Sequence, residues 1–205
     1  MPRTGRPRSF DKDEAVTRAM QLFWERGYES TSLADLKAAM GDISAASFYA
    51  AFGSKEALFR AVLAHYLETH GQVVAPLYDP ACDPRDAIEQ TLRASARMQT
   101  DPAHPFGCLL VLSTATCSAE SRHIQASLAE ERERNRAALL ACVSRAVAAG
   151  QLPRATDPTA LATLFDTFLV GLSIQARDGV PLATLEASIS QVMRVWDNLQ
   201  HRHRA

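Results

Sequence analysis

The 205-residue chain lacks the patterns that mark sheets, membrane spans and secretion signals. No stretch alternates apolar and polar residues for long enough to indicate a β-sheet. No uninterrupted apolar run approaches the roughly 20 residues that cross a bilayer. The N-terminal segment MPRTGRPRSF is basic but has no apolar segment after it, so we expect no secretory signal. These absences favour a cytoplasmic, all-α protein without a membrane partner.

Motifs of enzymes and metal proteins are absent as well. The chain contains no glycine-rich phosphate loop, no nucleophile elbow and no His and Glu residues at metal-ligand spacing. Most acidic residues stand at helix starts or in charge runs such as AEERERNRAA, where caps and ion pairs between neighbouring turns explain them. A helical enzyme is therefore the least favoured hypothesis, and we predict no catalytic residue, no metal and no cofactor.

The four cysteines, Cys82, Cys108, Cys117 and Cys142, do not have the two-residue spacing of a zinc site. A reducing cytosol disfavours disulfides, so the simplest interpretation is ordinary buried or half-buried thiols. An alternative function is a redox or electrophile sensor, which requires an exposed thiol with a lowered pKa. Cys108 and Cys117 are the better candidates, because they stand in or beside one apolar helix.

Positive charge is concentrated at the N-terminus. The chain has a net charge of -1, and Arg3, Arg6 and Arg8 give residues 1–9 a charge of +3, so the remainder carries -4. A nucleic-acid-binding protein needs only a local excess of positive charge. A basic arm on a mildly acidic body is compatible with a small DNA-binding head on a larger domain.

Helical periodicity runs through most of the chain, in about nine segments. Polar caps begin the first four helices, at Asp11, Ser32, Ser44 and Ser54. We expect the first helix to end at Gly27 and the segment VVAPLYDPACDP to be a loose connection. Later helices are expected over residues 83–100, 106–117 and 120–149, and two more follow towards the C-terminus.

Residues 31–52 have the organisation of a helix-turn-helix, in which a tight turn at Gly41 fixes the second helix at a steep angle to the first. Phe48 and Phe52 are spaced for burial on the back of this second helix. Its exposed positions are Ser44, Ala45, Ala46, Ser47 and Tyr49. A helix N-terminus presented in this way can enter the major groove of DNA, where its free N–H groups attract phosphate.

The same region resembles the DNA-binding domain of the TetR family of bacterial transcriptional regulators. The matching residues are Gly27 and Tyr28, Thr31 and Ser32, Gly41, and FYAAFGSKEALF from Phe48 to Phe59. The resemblance implies that Ser32 and Lys55 contact phosphates and that residues 44–49 enter the major groove, with Tyr49 on a phosphate or a thymine methyl. It also implies a homodimer on a near-palindromic operator and an unknown small-molecule effector that releases the DNA.

Two features depart from the common pattern of that family. The turn MGDIS is one residue longer than the usual form. The second helix lacks Arg, Lys, Asn and Gln, the side chains that read purine edges with two hydrogen bonds. The selectivity of the protein among DNA sequences would then depend in part on DNA shape. Arg6 and Arg8 either insert into the minor groove or form a basic tail of nonspecific attraction.

We therefore expect an all-α fold with a three-helix DNA-binding head and a larger C-terminal domain for effector binding and dimerisation. The predicted division is a basic arm (1–9), the head (10–55), the effector and dimerisation domain (56–200) and a tail (201–205). Residues predicted to line an effector pocket are Met98, Phe106, Leu110, Cys117 and Phe168. Residues predicted to form the dimer interface are Leu161, Phe165, Phe168, Leu172, Leu185, Ile189, Val192 and Trp196. A helical interaction module that does not bind DNA is a further alternative, which the head argues against.

Overall fold

The computed structural model describes residues 11–113 and 121–204, with side chains described as far as residue 201. This part of the chain contains ten α-helices and one 3-10 helix, and it contains no strand. The all-α prediction is confirmed, with one α-helix more than expected. The helices are α1 (Lys12–Ser30), α2 (Leu33–Ala39), α3 (Ala45–Phe52), α4 (Lys55–Glu68), the 3-10 helix (His70–Val74), α5 (Ala75–Tyr78), α6 (Pro84–Gln99), α7 (Leu109–Leu112), α8 (Arg122–Ala148), α9 (Pro158–Arg177) and α10 (Leu182–Arg204).

The first four helices begin at the polar caps that the sequence predicts. The Asp11 carboxylate accepts hydrogen bonds from two backbone N–H groups, and the hydroxyls of Ser32, Ser44 and Ser54 each accept one. The end of α1 differs from the prediction. Gly27 adopts a φ of +79° and kinks the chain, yet helical structure resumes and continues to Ser30. The Thr31 hydroxyl stabilises the kink by donating to the Gly27 carbonyl at 2.7 Å.

One apolar core joins the head to part of the C-terminal region. The rings of Phe23 and Phe59 meet edge to face at 5.1 Å and bind α1 to α4. Leu109 of α7 and Ile124 and Leu128 of α8 belong to the same cluster of buried residues. Because α7 packs against both α1 and α8, the apolar core of the head continues into the C-terminal region.

A second core lies among α6, α8, α9 and α10. It buries large side chains such as Phe165 and Trp196, whose ring centroids lie 6.3 Å apart. Ion pairs join α10 to α6 at the edge of this core. The Arg85 guanidinium lies 2.7 Å from the Asp197 carboxylate, and the Arg97 guanidinium lies 2.9 Å from the Glu186 carboxylate. These contacts fix the last helix along the body.

Two stretches differ from the sequence expectation. Within the described part of the predicted helix over residues 106–117, only α7 is helical, a single turn. The backbone at Gly107 has a φ of +86°, outside the helical region, and residues 114–120 lie outside the described part. Conversely, VVAPLYDPACDP is not a loose connection. It contains α5, which packs Leu77 into the second core with 4% exposure.

Helix α9 is more apolar than we expected. By length and composition it could cross a bilayer, with a mean hydropathy of 1.4 over an 18-residue window, of which 39% is buried. The core helix of a globular protein meets the same criterion, so α9 does not overturn the expectation of no membrane partner. Its inner side packs on α6 and α8, where Leu161, Phe165 and Leu172 are buried. Its other side keeps apolar residues exposed.

Candidate DNA interface and effector cavity

Helix α3 presents one surface outward and anchors the other. Phe48 is fully buried and Phe52 is 8% exposed, whereas Tyr49 between them is 52% exposed. The Ser44 hydroxyl accepts from the Ser47 backbone N–H at 3.0 Å and lies 2.9 Å from the Ser47 hydroxyl. The first turn of α3 is therefore rigidly capped. All five side chains predicted to face the DNA groove are exposed: Ser44, Ala45, Ala46, Ser47 and Tyr49.

The turn before α3 contains two consecutive residues in the left-handed region. Gly41 has a φ of +89° and Asp42 has a φ of +58°. Asp tolerates this conformation better than most residues that carry a Cβ atom. The second left-handed residue, Asp42, accommodates the long turn MGDIS. The sequence pattern indicated the extra residue in this turn but not its conformation.

Ser32 at the start of α2 is exposed but engaged. Its hydroxyl and backbone N–H both donate to the Asp35 carboxylate, at 2.5 and 3.0 Å, and the Asp35 N–H donates back to the hydroxyl at 3.1 Å. The hydroxyl and N–H of Ser32, followed by the charge of Arg26, hold the pKa of the Asp35 carboxyl below its usual value. A phosphate at Ser32 would have to compete with this carboxylate.

Two cations flank α3. The Lys55 ammonium lies 4.3 Å from the centroid of the Tyr28 ring, where partial burial lowers its pKa. The Lys12 ammonium lies 5.6 Å from the Phe52 ring. Lys55 was predicted to contact DNA, whereas the position of Lys12 beside α3 was not foreseen, because nothing in the local pattern places the start of α1 beside the end of α3. Arg6 and Arg8 lie outside the described residues.

A cavity lies in the body among α4, α6, α7, α8 and α9. The volume that the centre of a water-sized sphere can occupy inside it is about 60 Å³. This is several times the volume that one water molecule needs on the same measure. Met98 and Leu110, two of the residues predicted to line an effector pocket, line this cavity. Phe106 does not: it is 36% exposed and lines a separate surface groove. Phe168 packs against the second core instead, and Cys117 lies outside the described residues.

Several polar groups face this cavity. The Tyr66 hydroxyl donates to Cys108 Sγ at 3.3 Å, and burial raises the pKa of both the phenol and the thiol. The Arg132 guanidinium donates to the Leu110 carbonyl at 2.5 Å, and desolvation lowers its pKa. Asp166 accepts from the guanidinium of Arg136 at 3.1 Å. The cavity wall thus combines an apolar surface with a few fixed hydrogen-bonding groups.

The loop between α6 and α7 links the cavity to the head. Within the loop, Gly107 donates its N–H to the Gln99 carbonyl at 2.9 Å and accepts from the Trp24 indole N–H of α1 at 3.2 Å. The His104 ring stacks on the same indole at 4.4 Å. Arg177 of α9 donates to backbone carbonyls of both the loop and α1. These contacts connect Gln99, which lines the cavity, to Trp24 of α1.

The structure places most of the predicted dimer residues inside the protein. Six of the eight have at most 6% exposure and pack in the second core, where no second chain can reach them: Leu161, Phe165, Leu172, Leu185, Ile189 and Trp196. Phe168 and Val192 are only partly buried. Other apolar side chains face outward, namely Leu164 at 40%, Ile174 at 48% and Val195 at 38% exposure. Periodicity identified the buried face of each helix rather than the exposed one.

The described residues hold no cluster of three or more His, Cys, Asp or Glu side chains suited to a metal ion.

Known proteins resemble this chain over nearly its full length. The family described as "Bacterial regulatory proteins, tetR family" matches residues 16–62, and "Tetracyclin repressor-like, C-terminal domain" matches residues 84–180. The HTH-type transcriptional repressor ComR of Escherichia coli (strain K12) is 35% identical over 95% of this chain and 93% of its own length. BdcR, another HTH-type transcriptional repressor of that organism, is 32% identical over 58% of this chain and 60% of its own length. A solved structure shows a cysteine mutant of the TetR family regulator CifR in complex with 26-base-pair operator DNA. Its chain is 43% identical in sequence to this one, with a TM-score of 0.85, and the match covers 93% of this chain and 100% of that chain.

Proposed function

The chain belongs to the TetR family of bacterial regulatory proteins, and we propose that it is a repressor that releases a near-palindromic operator when a small molecule binds. Its family membership makes it a DNA-binding transcriptional regulator. The observation that carries the proposal is the outward face of α3, fixed by two buried phenylalanines and a capped first turn. We further propose that it acts in the cytoplasm and catalyses no reaction.

The proposed DNA contacts divide by chemistry. Residues 44–49 enter the major groove, where the methyl groups of Ala45 and Ala46 suit thymine methyls and the hydroxyls suit phosphates. Lys55 contacts a phosphate, as does Ser32 through its exposed position at the start of α2. We add Lys12 to this group, because its ammonium lies beside the end of α3. Arg6 and Arg8 of the arm would supplement these contacts in the minor groove.

Two heads must be linked to bind two half-sites about 34 Å apart, one turn of DNA. We propose that the outer faces of α9 and α10 supply the dimer contact. Leu164, Ile174 and Val195 expose large apolar side chains there, and the exposed Gly171 between the first two allows a neighbouring helix to approach closely. A partner helix on this surface accounts for the apolar character of α9 without a membrane.

The effector would bind in the cavity and act through the α6–α7 loop on α1. Residues Met98 and Leu110 are proposed to contact it. We retain the division into arm (1–9), head (10–55), effector and dimerisation domain (56–200) and tail (201–205) as a proposal. In this arrangement α4 is the connecting element, since it packs against α1 and also lines the cavity.

Cysteine-based sensing is the second candidate, because Cys108 lines the cavity 3.3 Å from the Tyr66 hydroxyl. Burial raises the pKa of this thiol, which reduces its thiolate content and its reactivity. The described surroundings therefore favour a bound molecule over direct oxidation. Release of DNA by an oxidant in wild type and its loss in Cys108→Ser would reverse this preference.

The test of the DNA-binding surface uses two tyrosines of equal exposure. Tyr49 on α3 is 52% exposed and Tyr78 on α5 is 53% exposed. We expect Tyr49→Ala to weaken binding to the DNA upstream of the gene about tenfold or more, from the loss of one good contact to base or phosphate. Tyr78→Ala should bind like wild type in the same fluorescence anisotropy assay. Equal affinities of Tyr49→Ala and wild type would remove α3 from the interface.

A further inference from the structure

The cavity wall contains two buried polar atoms that no group within the described residues 11–113 and 121–204 satisfies. Gln99 Oε1 and Ser173 Oγ have no hydrogen-bond partner there, and their residues are 2% and 0% exposed. Both residues line the cavity. Nearly all buried polar groups in folded proteins have partners, because an unpaired one costs its full desolvation free energy. Two such atoms in one cavity point to a bound molecule that supplies the missing hydrogen bonds.

The charges around the cavity restrict the ligand further. Arg132 and Asp166 are the charged side chains among the described lining residues, and they carry opposite signs. A ligand carboxylate would lie near the Asp166 carboxylate, and a ligand ammonium would lie near the Arg132 guanidinium. Burying an ion requires a counter-charge that is not opposed by a like charge. The cavity therefore favours a neutral ligand.

The remaining wall indicates the size and polarity of that ligand. Leu110, Val111, Leu169 and Val170 make much of the surface apolar. The cavity has about 60 Å³ for the centres of water-sized spheres, which is room for a compact molecule. An apolar body with a polar group at one end fits both the aliphatic wall and the unpaired atoms.

We propose that the effector is a small neutral amide or alcohol, with an N–H or O–H group that donates to Gln99 Oε1 and a carbonyl or hydroxyl oxygen that accepts from Ser173 Oγ. The aliphatic wall holds its carbon chain. This inference rests on the proposed function, because it takes the cavity as the effector site. It makes Gln99 and Ser173 the residues that distinguish a neutral ligand from the corresponding acid.

The test compares three molecules with the same four-carbon chain: butyramide, 1-butanol and butyrate. Binding to the full-length protein is measured by saturation-transfer NMR and by the shift of the melting temperature. We expect the amide and the alcohol to bind and to raise the melting temperature, and we expect butyrate to do neither. Tighter or equal binding of butyrate would overturn the proposal, as would failure of both neutral probes to bind at concentrations up to their solubility limits.

Variants of buried polar residues separate ligand recognition from stability. Gln99→Leu should raise the melting temperature of the free protein, because it removes an unpaired polar group, and should weaken butyramide binding about 2-fold to 13-fold, the value of one hydrogen bond. Thr91→Val is the matched control: the Thr91 hydroxyl is also buried, has no hydrogen-bond partner in the described part of the chain, and does not line the cavity. It should leave butyramide affinity unchanged, and unchanged affinity in Gln99→Leu would overturn the proposal.

Operator binding by the ligand-free wild type is measured in parallel. If the ligand-free wild type shows no specific binding to operator DNA, the proposed repressor function is refuted. Intact operator binding by a protein that binds neither butyramide nor 1-butanol would refute only the assignment of the effector class.

Discussion

Among the glycines that the structure describes, Gly107 leaves the least room for an added methyl group. Its φ of +86° lies in the left-handed region, and a Cβ atom there would be 2.5 Å from Leu112 Cδ1 and 2.8 Å from the Ser173 carbonyl oxygen. The leucine methyl can rotate away. The carbonyl oxygen belongs to the backbone of α9, so it cannot move without a shift of that helix or of the α6–α7 loop.

We expect Gly107→Ala to lower the free energy of unfolding by about 2–5 kcal/mol. The left-handed backbone contributes about 1–2 kcal/mol in a residue with a Cβ atom. Overlap with packed atoms adds about 1–3 kcal/mol. For a chain of this size each kcal/mol lowers the melting temperature by about 2–4 °C, so a decrease of about 4–20 °C is expected.

Gly150→Ala separates the two contributions. Gly150 has a φ of +71°, but a Cβ atom there would meet no atom within 4 Å. This variant should lose only the backbone contribution of about 1–2 kcal/mol. Calorimetry of both variants at the same pH gives the comparison, and equal losses of stability would refute the steric argument for Gly107.

Three further predictions concern the surface and the pH dependence. Leu164→Glu, on the outer face of α9, should convert the proposed dimer to monomers in sedimentation experiments, whereas Ala126→Glu on the exposed side of α8 should not; a dimeric Leu164→Glu would exclude this interface. Lys55→Met should reduce the slope of log affinity for operator DNA against log salt by about 0.9, the value of one phosphate contact, and an unchanged slope would argue against that contact. Burial, followed by the neighbouring His104, lowers the pKa of His70 below 6.5. Because protonation is then costlier in the folded state, the free energy of unfolding should fall as the pH is lowered below about 6.5. His70→Phe should reduce that pH dependence, and an unchanged dependence would contradict the role of His70.

The head was predictable because its signals are local. Each of its helices begins at a polar cap that binds the N–H groups of the same turn, and Phe48 and Phe52 share a face only if α3 is a helix. The TetR resemblance carried by residues 27–59 is confirmed by the family matches and by relatives that cover nearly the whole chain. The orientation of Lys12 towards α3 was not predictable, because it depends on packing between helices far apart in sequence.

The cavity and the dimer surface depend on such packing, and there the sequence was less informative. Apolar spacing placed Phe165 and Trp196 in the predicted dimer interface, because spacing alone does not show whether the helices that bury them belong to the same chain. Phe106 stands in an apolar run and was expected to be inside. The next residue, Gly107, instead has a left-handed backbone that interrupts the helix, and Phe106 lies at the surface.

Binding to the DNA upstream of its own gene is the most direct test of the account. Fluorescence anisotropy with that DNA and with a scrambled duplex of the same length, over a range of salt concentrations, gives both affinity and specificity. The account predicts two chains per site and a preference of at least about 10³-fold for the natural sequence, the lower end for specific DNA-binding proteins. Equal affinity for the two duplexes, or no binding to either, would contradict it.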